Sequence, residues 1–161
     1  MKKILPILLI GALIIMSDKK EPRGYRNKNP GNLKMSSITW EGEIPHSLNT
    51  DKVFEQFTTD FYGIRAAAMD LDSDINKGAN TITKLINEYA PPSENKTQNY
   101  INFVVKQTGI GANAVLKRDT QTILALLKAI FHYENGYLKY GDFLIINAID
   151  AGAGKRHGFN K

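Results

Sequence analysis

From residue 60 onward, apolar side chains return every three or four positions in five successive runs, a period that belongs to helices. Asp60 caps the first run, with Phe61, Ile64, Ala68, Leu71 and Ile75 on one face. Thr81 opens a second with Ile82, Leu85, Ile86 and Tyr89, and Ala90-Pro91-Pro92 stops it. Tyr100, Ile101, Val104 and Val105 form a third that closes at Gly109. Asp119 caps a long fourth carrying Ile123, Leu126, Leu127 and Ile130, and Gly136 stands where the chain must turn left-handed. Asp142 caps a fifth through Phe143, Ile146 and Ile149. A chain of 161 residues holds one domain's worth of core, and these stripes suffice to build it.

Before residue 60 the pattern changes. Residues 26–34 make a polar turn around Pro30 and Gly31. Ile38-Thr39-Trp40 and Val53-Phe54-Glu55-Gln56-Phe57 read as short strands with a loop between them. The expected fold is mainly α, of α+β type: about five helices, a small β-lobe near the start and an N-terminal hydrophobic helix. For that helix, Lys2 and Lys3 precede the apolar residues 4–16, and Ser17-Asp18-Lys19-Lys20 follow, the layout of an export signal. As a helix the run spans about 20 Å against a hydrocarbon core of about 30 Å, a gap that snorkelling lysines reduce. Ile15 and Met16 stand where cleavage wants small residues, which favours a retained signal-anchor over a removed peptide. The expected division is a signal-anchor over residues 1–22, a folded domain over 23–151 and a flexible basic tail over 152–161.

Composition narrows the chemistry. With no cysteine, disulfides, thiolate catalysis and cysteine zinc sites are excluded. The net charge of +5 suits an anionic polymer, but the bases are dispersed rather than striped, so nucleic acid is not an expected partner. No P-loop and no GxGxxG supports a nucleotide, and no cofactor is expected. His46, His132 and His157 are scattered and no HExxH or EF-hand loop occurs, so no metal is expected either.

One acid stands out. Glu134 closes the most apolar helix, with Ile123, Leu127 and Ile130 descending toward it at spacings of four, three and four. A carboxyl there leans on apolar surface beside the carbonyl end of the helix dipole, and both disfavour the ionised form. A general acid needs that protonated state at neutral pH. An exposed Glu at a helix end fits the same pattern.

The order of motifs resembles a known family. Arg23-Gly24-Tyr25-Arg26-Asn27-Lys28-Asn29-Pro30-Gly31-Asn32-Leu33 is similar to the opening of phage virion-associated lytic enzymes of the lysozyme-like superfamily, often named lytic transglycosylases. Trp40-Glu41-Gly42, Phe54 to Phe57, Gly63-Ile64-Arg65-Ala66, Tyr89-Ala90-Pro91-Pro92, Glu94-Asn95-Lys96-Thr97 and Glu134-Asn135-Gly136 continue the resemblance in order, over about residues 23 to 147. Related cell-wall glucosaminidases end a helix in Glu-Ser-Gly and then enter a lobe with Trp-x-Gly. Here the Glu-x-Gly comes last, so the resemblance implies a circularly permuted lysozyme-like domain, with Glu134 brought beside Asn29 and Asn32.

The resemblance implies cleavage of the β-1,4 bond between N-acetylmuramic acid and N-acetylglucosamine. Its implied partners are peptidoglycan glycan strands, a membrane through residues 4–16 and other virion proteins. The domain would be exported or membrane-anchored and face the cell wall. A lytic transglycosylase needs one carboxyl, Glu134, where a hydrolase needs two. Asp51, Glu41, Glu43 and Glu55 are the candidates for a second, each also readable as an ordinary surface acid. Sugar contacts fall to Trp40, Tyr25, Tyr133 and Tyr137 with Asn29, Asn32 and Asn135, since sugar sites combine aromatic faces with amides. Arg26 and Arg65 are candidates to hold an acidic wall group, and Arg65 reads better as a brace for its helix. The alternatives are a catalytically inactive structural virion protein of the same fold and a two-carboxylate muramidase. An endopeptidase would need a zinc site, a Cys/His pair or a Ser/His base, and none is organised.

Overall fold

The computed structural model describes residues 20–89 and 96–153. The apolar run 4–16, the motif residues 90–95 and the tail from residue 154 onward lie outside the described residues. Among the described residues there are six helices: α1 (Arg23–Arg26), α2 (Asp60–Lys77), α3 (Ile82–Tyr89), α4 (Thr97–Thr108), α5 (Thr120–Asn135) and α6 (Asp142–Ala153). The last five are the helices expected from the apolar stripes. α1 is a single turn, too short to leave a periodic trace. None of the described helices is long and apolar enough to cross a membrane.

α5 is the centre of the fold. Ile123, Leu124, Leu126, Leu127, Ala129, Ile130 and Phe131 are all buried, so the helix meets neighbours on most of its circumference. It packs on α4 and α6, and α2 packs most extensively on α6. Small residues make those approaches close: Ala66, Ala67 and Ala68 are buried on α2, and a Cβ on Gly152 of α6 would lie 2.9 Å from Met69 Cγ. Asp72, buried on α2, accepts two hydrogen bonds from the Arg118 guanidinium at 3.0 and 2.7 Å. The pair fixes α2 to the chain just before α5.

The helix ends partly follow the expected chemistry. Asp119 accepts from Thr122 N at 2.7 Å, and Thr81 Oγ1 accepts from Lys84 N at 3.2 Å. Gly136 takes the left-handed turn (φ +77°), with its N–H on His132 O. Two caps differ from expectation. Thr59, not Asp60, caps α2, with its hydroxyl accepting from Tyr62 N at 3.4 Å. Asp142 is already inside α6, and its carboxylate accepts from Lys128 Nζ at 2.6 Å.

The lobe between α1 and α2 exists, but it has almost no strand character. Among the described residues its regular pairing is two isolated antiparallel bridges, Lys34 with Phe54 and Glu43 with Phe57, so 38–40 and 53–57 are not strands. Side-chain amides satisfy the backbone instead. Asn49 donates to Phe54 O at 2.9 Å and accepts from Asp51 N and Lys52 N. Gln56 Oε1 accepts from Thr50 N at 2.8 Å. Such local bonds compete with ladders, which is why the hydrophobic residues here do not become a sheet. Leu33, Phe57 and Ala66, with Trp40 and Tyr62 over them, form the lobe's own small core.

Candidate active site

The loop 27–33, between α1 and the lobe, is built around Asn29, which is 0% exposed. Its Nδ2 donates to Leu33 O and Glu55 O, both at 2.9 Å, and its Oδ1 accepts from Leu33 N at 3.0 Å. Three of its four bonding positions go into shaping the loop. The loop presents Asn32 in the left-handed region (φ +52°), a conformation asparagine tolerates better than most residues. Asn32 Nδ2 donates to Glu134 Oε2 at 2.9 Å, across 102 positions of sequence. Next to it, Asn135 Nδ2 donates to Pro30 O at 2.8 Å and to Phe131 O at 2.9 Å. Two consecutive residues at the end of α5 thus staple the loop, and Glu134 stands beside Asn32.

More contacts fix the same junction. The Tyr25 hydroxyl donates to Tyr137 O at 2.5 Å and accepts from Lys139 N at 3.1 Å. Burial pushes that phenol up to about 12. The Tyr89 hydroxyl donates to Gly31 O. A Cβ on Gly24 would lie 2.4 Å from Asn135 Oδ1 and 3.1 Å from Asn32 Oδ1, so the loop closes over bare backbone there. Behind Glu134, the Tyr100 ring stacks on Tyr133 with centroids 3.7 Å apart. The buried Tyr100 hydroxyl lies against the Glu134 carboxyl without meeting hydrogen-bond geometry. Burial, then the charges of Tyr89 and Glu134, push its phenol well above the ordinary range.

In front lies an open cleft of about 310 Å³, lined by Asn32, Leu33, Lys34, Ser36, Ile38, Trp40, Asp70, Asp74, Glu88 and Tyr89. Glu134 does not itself line the cleft but is next to two residues that do: Asn32 holds its carboxylate, and the Tyr89 hydroxyl feels the charges of both Glu134 and Asp70. Trp40 and Ile38 also line a neighbouring cleft of about 570 Å³ that runs toward Asn76 and Arg118.

The sequence-derived site residues therefore separate. Asn32 and Trp40 line the cleft, and Glu134 adjoins it. Tyr25 and Asn135 are buried and brace the loop, as Asn29 does, so these three are framework rather than sugar contacts. Tyr133 is committed to its stack on Tyr100, and Tyr137 packs edge-on against Tyr25 and does not line the cleft. Arg26 donates to Glu21 O at the surface, away from the cleft lining. Buried Arg65 reaches Glu41 at 3.4 Å and so braces the lobe against α2.

None of the four candidate second carboxyls lines the cleft. Glu41 faces Arg65, and Glu43 accepts from Trp40 N at 2.6 Å. Glu55 is buried against His46. Burial tends to raise Asp51, but hydrogen bonds from Asn27 and Phe54 N and the charge of Arg23 outweigh it and hold the carboxyl below its usual range. These acids organise the lobe.

The carboxyls that do line the cleft are Asp70, Asp74 and Glu88. Burial pushes Asp70 up to about 6, with Asp74 adding to the shift and Lys77 offsetting it. Burial and the charge of Glu88 also raise Asp74. In the sequence these acids look like a solvated helix face. The available signal was the like-charge pair at positions 70 and 74, a spacing that destabilises an isolated helix and so needs a reason.

No protein-family model matches the chain. It is similar to protein P5 of Pseudoalteromonas phage PM2, at 43% identity over 122 residues, covering 73% of this chain and 74% of that protein.

Proposed function

This chain belongs to the family of protein P5 of Pseudoalteromonas phage PM2, and from that premise we propose that it is a phage lytic transglycosylase. It cleaves the β-1,4 bond between N-acetylmuramic acid and N-acetylglucosamine in peptidoglycan. The observation that carries this reading is the Asn32–Glu134 hydrogen bond at the edge of the cleft. The Asn32 amide engages one oxygen of Glu134 and leaves the other to carry a proton. That proton goes to the glycosidic oxygen as the bond to the muramyl C1 breaks. The muramyl 6-hydroxyl then attacks C1 and gives its proton to the Glu134 carboxylate, closing a 1,6-anhydro ring and restoring the acid. Trp40 supplies an aromatic surface for a sugar ring in the same cleft. In this reading residues 4–16 hold the domain at a membrane, facing the wall, and other virion proteins are its neighbours.

One observation favours a second reading, hydrolysis. Asp70 lines the same cleft with no hydrogen bond or ion pair among the described residues, so a second carboxyl is available to activate water. Digestion of purified peptidoglycan by the full-length chain in detergent separates the two, with mass spectrometry of the muropeptides. Wild type is expected to release products lighter by one water at the muramyl end, Asp70→Asn to release the same products, and Glu134→Gln to lose about a thousandfold in rate. Ordinary reducing ends that vanish in Asp70→Asn would replace transglycosylation by hydrolysis. No product from wild type, or full activity in Glu134→Gln, would overturn the assignment.

A further inference from the structure

We propose that Glu43, His46 and Glu55 form a divalent-cation site, of the kind Zn²⁺ fills, that fastens the lobe carrying Trp40. One ligand atom from each of the three side chains lies within 4.8 Å of the others. Glu55 is 0% exposed, a buried carboxylate in a small lobe with little else to offset its charge. His46 Nε2 sits 3.2 and 3.1 Å from its two oxygens, nearly equidistant. Two ligands about 2.0–2.1 Å from a tetrahedral zinc lie about 3.3 Å from each other, so an ion fits between these atoms with little movement. Glu43 completes three ligands with a modest contraction, and water takes the fourth position.

The groups behind the ligands are in place. Ser36 N donates to Glu55 Oε1 at 3.2 Å, and Trp40 N donates to Glu43 Oε2 at 2.6 Å. Such outer bonds orient ligands and are themselves held by the metal. The second one ties the ion to the backbone of Trp40, so the cation would steady an aromatic wall of the cleft rather than take part in bond cleavage. The site escapes a search for metal motifs because its ligands come from a Glu-x-x-His turn and a residue nine positions later, all in irregular chain. Binding requires a neutral imidazole and two carboxylates, so a proton on His46 competes with the ion.

Trp40 is the chain's single tryptophan, which makes its emission a direct report on this lobe. The untagged full-length chain, stripped with EDTA, would be titrated with zinc chloride while Trp40 fluorescence and bound zinc are followed. One zinc per chain and a saturable change in emission are expected, with affinity at least about tenfold weaker in His46→Gln and in Glu43→Gln. Glu43→Gln keeps an acceptor for Trp40 N, so it separates loss of the metal from loss of the fold. No bound zinc in wild type would overturn the proposal. So would zinc that binds undiminished in both variants but is lost in the double variant Asp70→Asn and Asp74→Asn, which would place the ion in the cleft. None of these readouts depends on peptidoglycan cleavage.

Discussion

Asp70 stands apart from the acids around it. Asp72, two positions later, turns to the other side of α2 and finds Arg118, while Asp70 faces the cleft beside Asp74. Its folded carboxyl is held up at about 6, against an ordinary value of 3.8. A raised carboxyl binds its proton more tightly folded than unfolded, so stability falls as pH rises from about 4 to about 6 and stays lower above that. Asp70→Asn removes that cost. After allowance for solvent screening, the variant is expected to gain on the order of 1 kcal/mol at pH 7 and nothing near pH 4. Thermal melts at the two pH values check this, and an equal gain at both would show that Asp70 is not the group strained by burial.

At the level of elements, the site depends on how closely α2 approaches the loop 27–33. Gly63 opens the resemblance motif Gly63-Ile64-Arg65-Ala66, and its reason is steric. A Cβ there would lie 1.8 Å from Lys28 O, a backbone atom that cannot swing aside. Gly63→Ala is therefore expected to push α2 off the loop and cost about 3 kcal/mol or more in chemical denaturation, alongside a loss of the proposed peptidoglycan cleavage. A variant as stable as wild type would mean that the loop accommodates the methyl. Arg65, two positions on, faces the lobe through Glu41, so the first turns of α2 locate the loop and the lobe together. The five long helices were readable in advance because their periodicity is a local property of each segment. The lobe was not: its alternating apolar residues suggested strands, but Asn29, Asn49 and Gln56 bond to its backbone first.

In the whole molecule, α5 serves as core and carries Glu134 at its end, and the rest of the chain is fastened to its two ends. At its N-terminal side the Arg118–Asp72 pair anchors α2; at its C-terminal side Asn32, Pro30 and Tyr25 bind the loop to residues 134–139. Arg118→Ala leaves Asp72, 2% exposed, without its bidentate partner. With the guanidinium itself partly in solvent, an expected cost of about 2 kcal/mol in urea unfolding follows, and an unchanged midpoint would show that the pair is neutral. The sequence alone determined the five long helices and the standing of Glu134 at the end of the apolar α5, although α6 is the more apolar of the two, because periodicity and helix-ending glycines act over a few residues. Through the resemblance it also indicated that Glu134 and Asn32 meet. Only the tertiary structure decided which acids face the cleft and which hold the lobe, that Tyr25, Asn29 and Asn135 are braces, and that Glu43, His46 and Glu55 converge. Those outcomes depend on contacts between distant segments, where one acid in the sequence looks like any other until burial and partners give it a role.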